Sequence, residues 1–471
     1  MVRRRTVASL GVVLIAGVVC SSNAGEPCEA EWVDHFGPEN GLSGDAYCLE
    51  VFDDGTGPAV YVGGAFFNAA GVRVDRIAKW NGSGWELLSG PSGNGVLSGT
   101  VNAMCVYDDG AGPALFVGGT FFSAGGLPAN KIAKWDGVQW STLTGPFGTG
   151  IPSVSVDALE VFDDGSGPKL YVGGSFSSAG GVAASDLATW DGSEWAPILS
   201  DEGNGISGSV NSFEVYDDGT GPALFVGGLF DLADNTPAGS IAKWDGENWS
   251  LLEGPSGTGV SQRVFAMQVY DEGDGPVLFV GGQFFEAGGL ECTKLARWDG
   301  TQWSQVLAPG GEGLPGTIGV LGMTTFDDGT GEKLVACGNF LFGGDVEVNR
   351  VASWDGVNWS VFEGPEGIGL GVTYDVLAFE TEEGPALFAA GEFGFAGGIP
   401  SSRIAQWQAC DPEPGPCDAD ATGDGSIDLA DLNLVLANFG QATADGDTNG
   451  DGTVDLADLN AVLGAFGTPC E

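Results

Sequence analysis

Val101-Asn-Ala-Met-Cys-Val-Tyr107 is followed by Asp108-Asp-Gly-Ala-Gly-Pro113, then Ala114-Leu-Phe-Val-Gly-Gly119, and after a longer link by Lys131-Ile-Ala-Lys-Trp135-Asp-Gly137-Val-Gln-Trp140. Apolar residues alternate with polar or small ones in each run, and glycine-rich acidic turns separate the runs, which is the pattern of short antiparallel strands. Asp-Gly between two such runs is a strong two-residue hairpin signal, because glycine accepts the positive φ that the turn requires. The stretch therefore predicts four strands: Val101–Tyr107, Ala114–Gly119, Lys131–Trp135 and Gln139–Leu143.

The same unit recurs along the chain. Its third-strand tryptophans stand at 80, 135, 190, 244, 298, 354 and 407, with spacings of 55, 55, 54, 54, 56 and 53 residues. Of the 14 tryptophans, six more (Trp85, Trp140, Trp195, Trp249, Trp303 and Trp359) fall on the fourth strand, and the last is Trp32, ahead of the first complete unit. The seventh unit stops after Trp407, and Trp32-Val-Asp-His-Phe-Gly-Pro38 matches Trp85-Glu-Leu-Leu-Ser-Gly-Pro91 in register. Seven units of four antiparallel strands with no helical pattern between them predict a mainly β chain, a seven-bladed β-propeller of four-stranded blades over 25–410. Its N-terminal strand is expected to supply the missing strand of the last blade and close the ring. Cys28 and Cys410 flank the absent hairpin, and a disulfide between them would staple it; export would permit that bond.

The last 55 residues carry another pattern, twice. Asp420-Ala-Thr422-Gly-Asp424-Gly425-Ser426-Ile-Asp428-Leu-Ala-Asp431 returns 27 residues later as Asp447-Thr-Asn449-Gly-Asp451-Gly452-Thr453-Val-Asp455-Leu-Ala-Asp458. Calcium takes six to eight oxygen ligands, and a 12-residue loop presents them from positions 1, 3, 5, 7 and 12 with glycine at 6. The ligand sets would be Asp420, Thr422, Asp424, Ser426 and Asp431, then Asp447, Asn449, Asp451, Thr453 and Asp458, with Ser426 and Thr453 giving backbone carbonyls. Neutral Thr422 at position 3 makes the first site the weaker. Two calcium ions are thus expected, each loop leading into a short apolar helix, 432–439 and 459–466.

A pair of such loops, each with Asp at position 12 and one following helix, resembles a type I dockerin over 417–471, a small α-helical calcium-binding module. The resemblance implies folding on calcium and docking onto a cohesin-like protein of a secreted polysaccharide-degrading assembly. The positions that commonly carry cohesin-contacting hydroxyls are here Leu429-Ala430 and Leu456-Ala457, so calcium binding carries over while ordinary cohesin specificity does not. The identical Leu-Ala pairs keep two equivalent docking poses open. Cys417 and Cys470 bracket the module and could clasp its ends, and 411–416 (Asp-Pro-Glu-Pro-Gly-Pro) reads as a linker. The body, with its Val-Gly-Gly-x-Phe and Trp-Asp-Gly signatures, resembles kelch-like secreted bacterial propellers over 29–410, a likeness that does not choose a function.

Residues 1–24 read as a signal peptide: Arg3-Arg4-Arg5, an apolar run from Val7 to Val19, and Ser22-Asn23-Ala24 as a small-residue cleavage site. Val19 is too bulky for Cys20 to be a lipoprotein cysteine. The protein is therefore expected outside the cell, secreted or at the cell surface, with no transmembrane segment. The net charge is −48, or −51 without the three leader arginines, which excludes nucleic acid and anionic membranes as partners. Glycine, 83 of 471 residues, shows no Gly-X-Y period, which excludes collagen. Cys48, Cys105, Cys292 and Cys337 occupy scattered positions and read as small buried apolar residues.

The one histidine, His35, rules out triads and multi-histidine metal sites. Paired carboxylates remain open for glycoside hydrolysis. However, Asp53-Asp54, Asp108-Asp109, Asp163-Asp164, Asp217-Asp218, Asp271-Glu272 and Asp327-Asp328 recur with the repeat and read as turn formers, whereas a catalytic pair should break its symmetry. Sialidase-type Asp boxes need a residue between Asp and Gly, which Asp191-Gly192 lacks. The second-to-third links and the links between units are longer, lie on one side, and vary, as at Asp231–Gly239; that side is the expected face for an extracellular glycan or protein. The expectation is a non-catalytic binding or scaffold protein. The alternatives are a polysaccharide hydrolase or lyase, and a structural envelope protein anchored by its tail.

Overall fold

The computed structural model describes residues 30–90, 93–198, 205–308, 313–364, 367–381, 383–409 and, towards the C-terminus, 421–422, 427, 429–441, 446, 448, 454, 456–464 and 466. The expected signal peptide, Cys28, Cys410, Cys417, Cys470 and the expected linker lie outside these residues, as do both expected disulfides. The described chain falls into two compact units, 30–409 and the C-terminal residues.

The first unit is built from antiparallel sheets, six of four strands and one of five among the described residues. One sheet runs Val101–Asp108, Pro113–Gly119, Ile132–Trp135 and Trp140–Ser141, in chain order. The last combines Val372–Thr381, Gly384–Glu392 and Ile404–Gln408 with Glu31–Val33 from the N-terminus, and Trp32 lies opposite Trp407 just as Trp135 lies opposite Trp140. Seven apolar clusters each join two sheets that follow one another. One of them (Phe36, Leu49, Val62, Leu377, Phe388) joins the last sheet to the first.

The two glycines of the Val-Gly-Gly motif are needed for different reasons. A Cβ on Gly63 would stand 2.4 Å from Cγ1 of Val101 in the next sheet, so this glycine sets the spacing between sheets. A Cβ on Gly64 would stand 2.2 Å from the Asp45 carbonyl, beside a bulge between Ala46 and Cys48 in the first strand. The bulge recurs at the same place in the other sheets (Val101/Ala103, Val156/Ala158, Val264/Ala266), where it bends the inner strand. Tryptophans of the fourth strands tie sheets together. Trp140 Nε1 donates to the Leu88 carbonyl at 3.0 Å, Trp303 to Leu252 at 3.1 Å, and Trp32 to Phe362 at 3.2 Å.

The longer links are more regular than expected. Each second-to-third link is a small hairpin, such as Ser123–Ala124 with Leu127–Pro128 around Gly125 (φ 55°) and Gly126 (φ 82°), and positive φ at both central residues is the turn that matches strand twist. Asp231–Gly239 is no variable loop. It is the same hairpin, Pro222–Ala233 paired with Thr236–Pro237, with Asp234 (φ 50°) and Asn235 (φ 61°) replacing the glycine pair. Asp and Asn tolerate this region better than other residues with a Cβ, so the sequence changed while the backbone did not.

In the C-terminal unit, helix α1 spans Leu429–Asn438 and helix α2 Leu456–Gly464. Both begin three residues earlier than expected. Leu and Ala are strong helix formers, and Asp431 and Asp458 in the first turns suit the positive end of the helix dipole. A small core of Ile427, Val435, Val454, Ala461 and Val462 lies between the helices. Gly440 (φ 78°) ends α1, its N–H donating to the Val454 carbonyl at 2.7 Å.

Candidate functional site

The two residues expected at position 12 of the calcium loops are fully buried carboxylates on the first turns of α1 and α2. Asp431 Oδ1 accepts the Thr422 backbone N–H at 2.9 Å and its hydroxyl at 3.0 Å. Asp458 Oδ1 accepts the Thr448 backbone N–H at 2.6 Å and its hydroxyl at 3.1 Å. Each carboxylate is therefore drawn back to the start of its own loop, at position 3 in the first copy and position 2 in the second. The other expected ligands, Asp420, Asp424, Ser426, Asp447, Asn449, Asp451 and Thr453, lie outside the described residues. Residues 411–471 contain thirteen acids and no Lys, Arg or His, so no side chain of the segment can supply the counter-charge these buried carboxylates need. A donor set of carboxylates, a hydroxyl, an amide and carbonyls suits a hard, oxygen-ligated cation.

Around these positions the helices expose apolar residues. Leu429, Leu436 and Phe439 on α1 and just beyond it are exposed, as are their copies Leu456, Leu463 and Phe466. Each pair is separated by 27 residues, so the same outward face is displayed twice.

In the first unit the repeated acid pairs divide their work. Asp108 Oδ1 accepts the N–H groups of Gly110 and Gly112 at 2.9 and 3.0 Å, and Asp53, Asp163, Asp217, Asp271 and Asp327 do the same, so the first acid forms the turn as expected. The second acid has another role. Asp54 pairs with Lys79 at 2.8 Å, Asp164 with Lys169 at 2.7 Å, Asp218 with Lys243 at 2.7 Å and Asp328 with Lys333 at 2.7 Å, while Asp109 pairs with Lys134 and Glu272 with Arg297. A signal for these pairs stands in the sequence. Where the third strand has Thr189 or Ser353 in place of the cation, a lysine appears on the second strand instead, as Lys169 or Lys333. Burial alone would raise the Asp54, Asp164, Asp218 and Asp328 carboxyls, but hydrogen bonds from the paired lysine and from the turn hydroxyls Thr56, Ser166, Thr220 and Thr330 hold them below the usual carboxylate range. Groups so held stay ionised and are unsuited to donate a proton.

Asp186 behaves differently. Burial pushes its carboxyl up, against hydrogen bonds from the Phe176 and Gly208 N–H groups at 2.8 and 3.3 Å. It lines a cleft of about 360 Å³ with Ser185, Ile206, Ser207, Leu232 and Asn235, where it is the single carboxylate among the described lining residues. A larger open depression of about 610 Å³ follows the outer strand Trp359–Val361 and is lined also by Glu347, Glu363 and Trp407. No group of three metal-binding side chains occurs among the described residues. His35 Nδ1 lies 3.3 Å from Gln406 Oε1, a contact within the last sheet and its continuation. Cys48, Cys105, Cys292 and Cys337 are buried as expected, and burial pushes the Cys48 and Cys337 thiols well up, away from reactivity.

No protein-family model matches the chain, and no curated protein matches it. Among solved structures, it is similar to the extracellular domain of a hybrid two-component system from B. thetaiotaomicron, with 11% identity and a TM-score of 0.47 over 80% of this chain and 40% of that one. It is also similar to an α-L-arabinofuranosidase from Fusarium graminearum in complex with an iminosugar inhibitor, with 12% identity and a TM-score of 0.35 over 80% of this chain and 96% of that one. The chain thus spans about 40% of the length of the bacterial extracellular domain. No helix among the described residues is long and apolar enough to cross a membrane.

Proposed function

We propose that this chain is an exported, non-catalytic binding protein: a closed seven-bladed β-propeller that displays a ligand-binding face and is attached to a surface or secreted assembly, linked to polysaccharide use, through a calcium-loaded dockerin-like module. The observation that carries the attachment is the pair of buried carboxylates, Asp431 and Asp458, at the ends of two copies of one loop in a segment with no basic residue. Calcium, when bound, supplies the positive charge that lets these carboxylates sit in an apolar interior. The chain's own residues do the rest. Asp431 and Asp458 tie the loop starts to α1 and α2, and the helices turn Leu429 and Leu456 outward as the contact points for a cohesin-like receptor. Apolar residues at those positions favour a receptor with an apolar recess over one that reads hydroxyls. The ring is supported by the cluster joining the last sheet to the first and by Trp32, which reaches from the last sheet to the Phe362 carbonyl.

Attachment is tested in cells producing the chain, by fractionation before and after chelation. Calcium removal should release the wild-type protein from the cell or assembly, and the Asp431→Asn/Asp458→Asn double variant should be found released from the outset. A distribution indifferent to both would overturn the reading.

A further inference from the structure

In three of the seven repeats one position is exposed, aromatic and held from below. Phe67, Phe122 and Phe285 each follow a fully buried core phenylalanine (Phe66, Phe121, Phe284), at the start of the second-to-third hairpin on three different sheets. Beneath each ring lies a cation: Arg76 Cζ at 4.3 Å, Lys131 Nζ at 3.3 Å and Lys294 Nζ at 3.5 Å from the ring centroid. Lys131 and Lys294 are only 3% and 1% exposed, whereas the phenyls above them are 60% and 53% exposed. Each of these two rings is therefore a lid lying flat on a buried ammonium, with its opposite face turned to water. Arg76, Lys131 and Lys294 all stand on left-handed backbone (φ 73°, 71° and 66°), as their counterparts in the other repeats do, and Lys294 Nζ also donates to the Gln283 carbonyl at 3.2 Å.

The fold does not need these pairs. Ser177 with Asp186, and Asp231 with Ser240, occupy the same two places in the third and fourth units, and the hairpins form there all the same. Arg350 and Arg403 in the last two units keep the cation without the phenyl. Every phenyl at this position has its cation, and leaving phenyls in water is otherwise unfavourable.

We infer that Phe67, Phe122 and Phe285 are stacking platforms for a neutral polysaccharide chain. The inference rests on the binding role proposed above and names the ligand class for the long-link face. A flat, immobilised aromatic face open on one side covers the apolar C–H face of a pyranose ring with little loss of side-chain freedom. Platforms carried on separate sheets suit an extended polymer. A net charge of −48 repels uronate or sulfated chains.

The test is affinity electrophoresis of the full chain through gels containing a xylan, a mixed-linkage β-glucan or a galactomannan, with polygalacturonate as the acidic arm. At least one neutral polysaccharide should retard the wild-type chain and polygalacturonate should not. Each Phe→Ala change should weaken binding about tenfold, the effect of uncovering about 50 Å² of apolar surface. Phe67→Tyr, Phe122→Tyr and Phe285→Tyr, which keep the ring, should retain binding and guard against a folding artefact. Equal retardation of the wild-type and triple-alanine chains would overturn the inference, as would retardation by polygalacturonate alone. Retention of a protein partner through the same phenyls, with no polysaccharide bound, would overturn it as well. Absence of any retardation in a chain that chelation still releases from its assembly would refute the platforms and leave the attachment standing.

Discussion

Lys243→Met isolates the role of the second acid in the repeated pairs. The Lys243 ammonium lies 2.7 Å from both Asp218 oxygens and 2.6 Å from the Thr220 hydroxyl, and the two ionic side chains are only 10% and 6% exposed. Methionine keeps the apolar stem and deletes the charge, so the Asp218 carboxylate remains buried, loses both contacts to the ammonium and keeps only the Thr220 hydroxyl at 2.7 Å and the Thr220 backbone N–H at 3.2 Å. Breaking a buried pair in this way costs about 3–5 kcal/mol. The Asp218→Asn/Lys243→Met double variant removes both charges, and its cost should fall well below the sum of the single changes. The equivalent Lys333→Met change should cost only about 1 kcal/mol, because Lys333 and Asp328 are each 21% exposed and water screens the charge left behind. Urea unfolding followed by tryptophan fluorescence measures all three. A Lys243→Met cost under about 1 kcal/mol, or a double variant that pays the full sum, would refute the structural role assigned to these acids.

The remaining predictions concern the sheets and their turns. Trp32→Ala should cost about 3–5 kcal/mol in the same unfolding assay, since it removes a buried indole, its bond to Phe362 and its pairing with Trp407; a loss under 1 kcal/mol would show that the N-terminal strand is dispensable. Ala70→Gly should raise stability by about 0.5–1 kcal/mol, because Ala70 sits at φ 47° where the equivalent residues are Gly125, Gly180 and Gly288; an unchanged midpoint would mean the alanine is unstrained. The carboxyls of Asp54, Asp164, Asp218 and Asp328 titrate lower in the folded chain than in the unfolded one. Their stabilisation is therefore complete above the unfolded value, about pH 4, and is lost as pH falls through the folded values. At high salt, unfolding free energy should be level from pH 7 to 5 and drop below pH 4, and a drop that begins near pH 6 would point to other groups.

The strand order of each sheet was legible because tryptophan is rare and its two positions mark the third and fourth strands, down to Trp32 opposite Trp407. The Asp-Gly turns were legible because positive φ restricts the residue. The hairpin at Asp231 was not: Asp234-Asn235 looks unlike Gly180-Gly181, yet both satisfy the same dihedral demand, so residue identity varied where backbone did not. The ion pairs escaped because their partners are separated by 25 residues in some units and 5 in others, and only the exchange of Lys between Lys243-like and Lys169-like positions shows that one charge is conserved in space. The early start of α1 and α2 was hidden because Leu429-Ala430 and Leu456-Ala457 fall inside the 12-residue loop pattern although both residue types propagate a helix. The phenyl platforms left no distinct mark, since exposed Phe122 follows buried Phe121 in one apolar run and only the fold separates them.

On the function proposed above, the duplicated loops hold calcium and attachment depends on it. Isothermal titration calorimetry of the full chain, stripped with a chelator and dialysed, tests this most directly. Two calcium ions per chain are expected, one in Asp431→Asn, one in Asp458→Asn and none in the double variant, with the loop containing Asn449 binding more tightly than the loop containing Thr422. No calcium uptake by the wild-type chain, or two ions still bound in the double variant, would contradict it.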